Sequence, residues 1–175
     1  MVPDWRSSAD DGGNEALRAS LQFAEQRASE FGGDPERLVL AGWSLGATAG
    51  LGLVLNGECR PAGYVGIATG YEDTCPTTGR PLPSVLADEI PDTPIWLLHG
   101  TRDEVVPVER GRAMAKALVD QGARIQWHDF DTDHAGIIMS RYDPMTRRCL
   151  PSDQEHAVVA GRGTADFLTI AAAGS

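Results

Sequence analysis

The stretch Leu38-Val39-Leu40-Ala41-Gly42-Trp43-Ser44-Leu45-Gly46-Ala47 constrains the fold of this chain more than any other. An apolar run ends abruptly at a serine flanked by glycines and continues into small residues that suit a helix. It therefore reads as strand, sharp turn and helix. A serine hydroxyl is a poor nucleophile unless it is held exposed beside a base. G-x-S-x-G lets a chain turn tightly enough to do this, and Gly42 and Gly46 are expected to leave room for the elbow. The pentapeptide also arises by chance in glycine-rich chains, and a serine at this point could simply cap a helix. The surrounding sequence has to carry the assignment.

That context is a regular alternation of strand and helix signals. Leu17, Leu21, Ala24, Ala28 and Phe31 recur at helical spacing, which predicts an amphipathic helix over 13–31 that ends at Gly32-Gly33-Asp34-Pro35. Residues 37–41 are apolar on both faces, as expected of a parallel strand buried on both sides. A helix of small residues follows over 46–55, stopped by Asn56-Gly57, and then a strand over 63–68. Residues 69–83 are loop-like, with a short helix over 84–90, a strand over 95–99 and a helix over 108–121 closed by Gly122. Residues 124–130 alternate as a strand with one less buried face, and a long loop comes next. Ser152 and Glu155 form a capping-box pattern that opens a last helix reaching about residue 172. Strands alternating with helices imply βαβ units, hence an α/β fold with a mostly parallel sheet and helices on both faces. At 175 residues and 42% hydrophobic content there is material for one core, so a single domain over 1–175 is expected.

In such sheets function gathers in loops at the carboxyl ends of the strands. The strand over 95–99 runs into Gly100-Thr101-Arg102-Asp103-Glu104-Val105-Val106-Pro107, and the strand over 124–130 runs into Asp131-Thr132-Asp133-His134-Ala135-Gly136. A serine nucleophile needs a base near neutral pH, which His134 supplies, and a carboxylate to fix the imidazole tautomer, which suits Asp103. Each has a plainer alternative: Asp103 as a turn former or helix-dipole acid, and His134 as an ordinary loop histidine. Asp129, Asp131 and Asp133 lie too near His134 in sequence to be preferred as its partner. His99, His128 and His156 are assigned structural roles, His99 through a bond to nearby loop backbone.

Charge and cysteine usage narrow the partners. A net charge of −10 and a pI near 4.7 oppose binding to phosphate backbones or anionic membranes, so a small neutral partner is expected. No apolar run reaches membrane-spanning length, and Met1-Val2-Pro3-Asp4-Trp5-Arg6 lacks the apolar core of a secretory leader, so the chain as given is expected to be soluble. Cys59, Cys75 and Cys149 show no metal-ligand spacing, and a bridge between Cys75 and Cys149 stays open beside three free thiols. Neither compartment nor oligomeric state follows.

With Gly42-Trp43-Ser44-Leu45-Gly46, the segment His99 to Pro107, and Asp133-His134-Ala135-Gly136 in this order, the chain resembles the α/β-hydrolase superfamily, near its dienelactone-hydrolase-like and carboxylesterase-like members. The resemblance implies a Ser44–His134–Asp103 triad, an acyl-serine intermediate released by water, and an oxyanion contact from the backbone N–H of Leu45. It implies no metal or organic cofactor, because acyl transfer by a triad needs none, and ordinary ester substrates, because Ser44 stands where the dienelactone type usually has cysteine. The loop between the strands over 63–68 and 95–99 is too short for a large lid, so a small substrate is expected. Trp43 and Tyr71 are possible pocket residues. One departure is pronounced. The family places further strands and a His-Gly-Gly-type loop, source of a second oxyanion donor, before the elbow, and nothing before Ser44 resembles them. Met1-Val2-Pro3-Asp4 reads as the tail of a preceding strand, so about half of the family's sheet is expected to be missing, with Leu38-Val39-Leu40 left as an apolar edge. The alternatives are an impaired or non-catalytic remnant of the fold and a peptidase of the same fold.

Overall fold

A computed structural model of the protein describes residues 1–174 apart from 4, 8, 9, 12, 71–73 and 83–91. Helix α1 (Asn14–Arg27) continues into a 3-10 turn at Ala28–Phe31 and stops where Gly32 takes φ 77°. The Asp34 carboxylate then accepts the Glu36 N–H at 2.9 Å and, with Pro35 fixing the first φ, caps a second 3-10 turn at Pro35–Arg37. That turn claims Arg37, so strand β1 runs Val39–Trp43, two residues later than the sequence pattern suggests. Helix α2 (Leu45–Leu55), β2 (Gly63–Ile67), β3 (Ile95–Gly100), α3 (Val108–Asp120) and β4 (Ile125–Phe130) follow within a residue or two of expectation. The expected helix over 84–90 lies outside the described residues.

The four strands are parallel in the order β1-β2-β3-β4, with Val39 beside Gly63, Tyr64 beside Ile95 and Ile95 beside Ile125. Alternate residues face opposite layers. Tyr64, Ile95 and Leu97 meet Leu51 and Leu55 of α2 and Met114 and Leu118 of α3, with Leu17 and Leu21 of α1 packed against the same cluster. Val65, Ile67, Trp96 and Leu98 meet Ile137 and the Phe167, Leu168 and Ala171 side chains of helix α4 (Glu155–Ala173). Full burial of a residue such as Leu51 or Leu98 contributes about 1.5–3 kcal/mol. The result is the three-layer α/β arrangement expected from the alternation.

Three expectations are corrected. Strand β1 is not buried on both sides: Ala41 is exposed and its neighbours are half-buried, whereas β2 and β3 are buried throughout. The reason is position, because β1 is the edge of the described sheet, in line with the expected apolar edge at Leu38-Val39-Leu40 and against the expectation of two buried faces. Leu38 C=O and Ser44 N–H bond to the β2 segment, so Val39, Ala41 and Trp43 turn their peptide groups toward the open side. Beside that edge, a largely apolar groove of about 810 Å³ runs between β1 and α1, lined by Leu17, Leu21, Phe31 and Leu40. Second, the long loop after His134 contains an antiparallel hairpin, β5 (Ser140–Asp143) with β6 (Arg148–Pro151), whose tip exposes Met145. Third, the capping box at Ser152 does not form. Its N–H donates to Met139 C=O and its hydroxyl accepts the Gln154 N–H at 3.3 Å, so α4 starts only at Glu155. All three cysteines are free: Cys75 is buried with its thiol donating to Thr48 C=O at 3.3 Å, and Cys149 is exposed on β6.

An apolar edge strand with unpaired peptide groups promotes association. Ala41→Lys, which sets a charge on the exposed edge without touching the core, should lower the sedimentation-averaged mass at high protein concentration and leave the circular dichroism unchanged. Equal self-association of the two proteins would contradict the open edge.

Candidate active site

Ser44 sits between β1 and α2 at φ 54° and ψ −128°, a backbone conformation that costs a non-glycine residue about 1–3 kcal/mol. It is held there from both sides. Its N–H donates to Ile67 C=O at 2.8 Å, and its own C=O accepts from Ala47 and Thr48 N–H at 2.9 and 3.2 Å. The turn closes only because residue 42 lacks a Cβ, which would lie 2.5 Å from Gly46 O and 2.6 Å from Ala47 Cα. Gly46 behaves differently. A Cβ at 46 would meet nothing closer than the Trp5 ring at 3.8 Å, so the expectation that both glycines make room holds for Gly42 alone. Leu45 opens α2, and its N–H is among the first four of that helix, which have no acceptor within it.

His134 and Asp103 arrive from loops after β4 and β3. The Asp133 carboxylate accepts the Ala135 and Gly136 N–H groups at 3.0 and 2.7 Å, which curls the backbone around His134. His134 Nε2 lies 3.0 Å from Ser44 Oγ, and its Nδ1 lies 2.7 Å from Asp103 Oδ2. A carboxylate only accepts, so Nδ1 carries the proton and Nε2 is left to accept from the serine hydroxyl. Asp103 is buried, and its other oxygen accepts Val105 and Val106 N–H at 2.9 and 2.8 Å. Burial alone pushes this carboxyl up, but bonds from His134, His99 and Val106 N–H outweigh it and hold it well below the usual carboxylate range.

The remaining polar groups are engaged elsewhere. Asp129 binds Arg112 and the Trp127 indole N–H at 2.7 and 2.8 Å, and Asp131 binds Arg102 at 2.8 Å, so neither competes for His134. His128 packs on Phe167 with ring centroids 4.1 Å apart, and His156 lies 3.9 Å from Asp133. His99 donates from Nε2 to Val106 C=O at 2.8 Å, as expected, and the same nitrogen lies 3.4 Å from Asp103 Oδ2. That second contact is not visible in the sequence pattern. Neither is the engagement of Trp43, whose indole N–H donates to His134 C=O at 2.9 Å. Tyr71 lies outside the described residues. Among the described residues no group of three or more His, Cys, Asp or Glu side chains is placed to hold a metal ion, and no helix is long and apolar enough to cross a membrane.

Two outcomes follow from this packing. Gly42→Ala should lower the melting temperature sharply or prevent folding, whereas Gly46→Ala should leave it within a few degrees of the parent; equal losses would contradict the elbow geometry. The Asp103 carboxyl has a folded value below its ordinary 3.8, so its contribution is complete above that value and is lost as pH falls through the depressed one. Asp103→Asn should therefore cost about 1–3 kcal/mol of unfolding free energy at neutral pH. The gap should narrow below about pH 4. A pH-independent gap in urea titrations would be inconsistent with a buried, ionised Asp103.

The profile of the phospholipase/carboxylesterase family matches residues 9–140. Over 121 residues the chain is 29% identical to acyl-protein thioesterase 1 of Gibberella zeae, which aligns 66% of this chain with 49% of that protein. Over 132 residues it is 25% identical to acyl-protein thioesterase 1 of Kluyveromyces lactis, covering 74% of this chain and 56% of the relative. The chain thus spans about half the length of the curated relatives it matches. Among solved structures, the thermophilic esterase Est2 of Thermogutta terrifontis superposes with a TM-score of 0.66 at 17% identity, over 95% of this chain and 67% of its own. The α/β hydrolase MGS-M1 from a deep-sea metagenome superposes with a TM-score of 0.62 at 14% identity, over 95% and 67%. At these identities the likeness is one of fold.

Proposed function

This chain belongs to the phospholipase/carboxylesterase family, and we propose that it is a serine hydrolase which cleaves small carboxylic esters and thioesters through an acyl-enzyme on Ser44. The single observation that carries this reading is the unbroken hydrogen-bonded line from Ser44 Oγ through the His134 imidazole to Asp103, with separations of 3.0 and 2.7 Å. The thioester part rests on the relatives named acyl-protein thioesterase 1.

In this reading Ser44 Oγ attacks the acyl carbonyl carbon while its proton passes to His134 Nε2. Asp103, fixed by Val105 and Val106 N–H, stabilises the resulting imidazolium and keeps Nδ1 protonated. The negative charge on the tetrahedral oxygen is met by Leu45 N–H at the positive end of α2. The leaving alcohol or thiol takes the proton from Nε2 as the carbonyl reforms. Water, deprotonated by the same nitrogen, then releases the acid and restores the serine. A second reading, a non-catalytic remnant of the fold, is favoured by the open β1 edge and by Leu45 N–H being the one oxyanion donor that the family resemblance assigns in this chain. Loss of one donor typically costs about a hundredfold to a thousandfold in rate.

An activated fluorophosphonate separates the two. Ser44 should be labelled, with Ser44→Ala unlabelled and His134→Ala labelled at least a hundredfold more slowly; folded protein that is not labelled would overturn the hydrolase reading. Because the base must be neutral to accept a proton, ester turnover should be lost when the solution is acidified. A flat profile from pH 5 to 9 would argue against His134 as base.

A further inference from the structure

Trp43 is the residue immediately before the nucleophile and the last of β1, yet its polar atom is spent on a residue 91 positions away. The indole N–H donates to the backbone carbonyl of His134 at 2.9 Å, and the indole ring rests against the imidazole with centroids 5.0 Å apart and planes inclined by 38°. The histidine loop leaves that carbonyl for it. The carbonyls of Asp133, Ala135 and Gly136 accept N–H groups of Ile137, Ile138 and Met139 in the 3-10 turn that follows, so the loop's backbone bonds skip residue 134. One indole therefore holds both the backbone and the ring of the same histidine.

Resting on the reading of Ser44, His134 and Asp103 given above, we infer that Trp43 is a positioning residue that fixes the His134 imidazole over Ser44. The physical point is economy of linkage. Ser44 is set by the end of β1 and the start of α2, whereas His134 comes from the far end of the sheet beyond β4. Two loops that move independently would let the 3.0 Å gap between Oγ and Nε2 fluctuate. Trp43 removes that freedom because its backbone is continuous with Ser44 and its indole is bonded to the base. Asp103 fixes the opposite edge of the ring through Nδ1, so the imidazole is tied at its backbone, one face and one edge. Displacement of a reacting group by about 1 Å can cost on the order of a hundredfold in rate.

The test uses the 175-residue chain and Trp43→Phe, which keeps an aromatic ring and removes the N–H. Fluorophosphonate labelling of Ser44 should slow by about 10- to 100-fold at unchanged circular dichroism, and turnover of a small activated ester should lose kcat with KM unchanged. In proton NMR, the downfield His134 Nδ1–H resonance, identified by its loss in Asp103→Asn, should broaden in Trp43→Phe. An unchanged labelling rate, or a rise in KM with kcat intact, would overturn the inference and make Trp43 a substrate contact. If Ser44 in the parent protein is never labelled, the hydrolase reading fails by itself, and an unaltered Nδ1–H resonance in Trp43→Phe still refutes the positioning role. Should Trp43→Phe not fold, hydrogen exchange of the Trp43 indole N–H in the parent decides: strong protection supports the bond to His134, and exchange at the rate of an exposed indole contradicts it.

Discussion

A carboxylate cut off from water has to be supplied with donors, and the need is most acute at Asp103. Its carboxyl group has no exposed surface. An unpaired charge in that position would cost several kcal/mol. Three elements meet that need. The turn after β3 contributes two backbone N–H groups, the β4 loop contributes His134 Nδ1–H, and β3 itself contributes His99, whose Nε2–H lies within 3.4 Å. The carboxylate thus dictates how the β3 and β4 loops close on one another. Gly100 permits it: a Cβ there would stand 2.4 Å from Thr132 O, in the loop that carries His134.

The opposite side of the site depends on a strained serine. A φ of 54° at Ser44 persists because the elements on either side of it are over-determined. Residues 47–55 of α2 are buried throughout, and Ser44 N–H is bonded into β2. The strain leaves Ser44 Oγ facing the histidine rather than the helix it caps. Trp43, one residue earlier, meets the same histidine from the other direction.

Much of this is legible in the sequence. Apolar runs mark β2, β3 and α2, and a helical pattern stopped by Gly122 marks α3, closely because packing, periodicity and stop signals agree there. Ser44, Asp103 and His134 are legible from their placement after strands in parallel βαβ order. What escapes is tertiary. The apolar run by itself reads β1 as buried on both sides, and its edge position is legible only through the family resemblance that leaves Leu38-Val39-Leu40 as an edge. The hairpin at 140–151 carries arginines, two prolines and no alternating pattern, so it reads as loop. Ser152 has the residues of a capping box, but a bond to Met139 C=O pulls its backbone out of the helix. The contact of Trp43 with His134 joins residues 91 positions apart, and that of His99 with Asp103, only four apart, depends on how the turn after β3 closes.

The fold and family relate this chain to esterases and acyl-protein thioesterases that are longer than it is. In the proposed mechanism Ser44, His134 and Asp103 act as one unit rather than as three well-placed polar residues. Groups acting as a unit show strongly non-additive losses. The most direct measurement is kcat/KM toward a small activated ester for Ser44→Ala, His134→Ala and the double variant. Action as a unit predicts that the double variant loses no more than the more damaging single one. Losses that multiply, or a His134→Ala variant as fast as the parent, would contradict it.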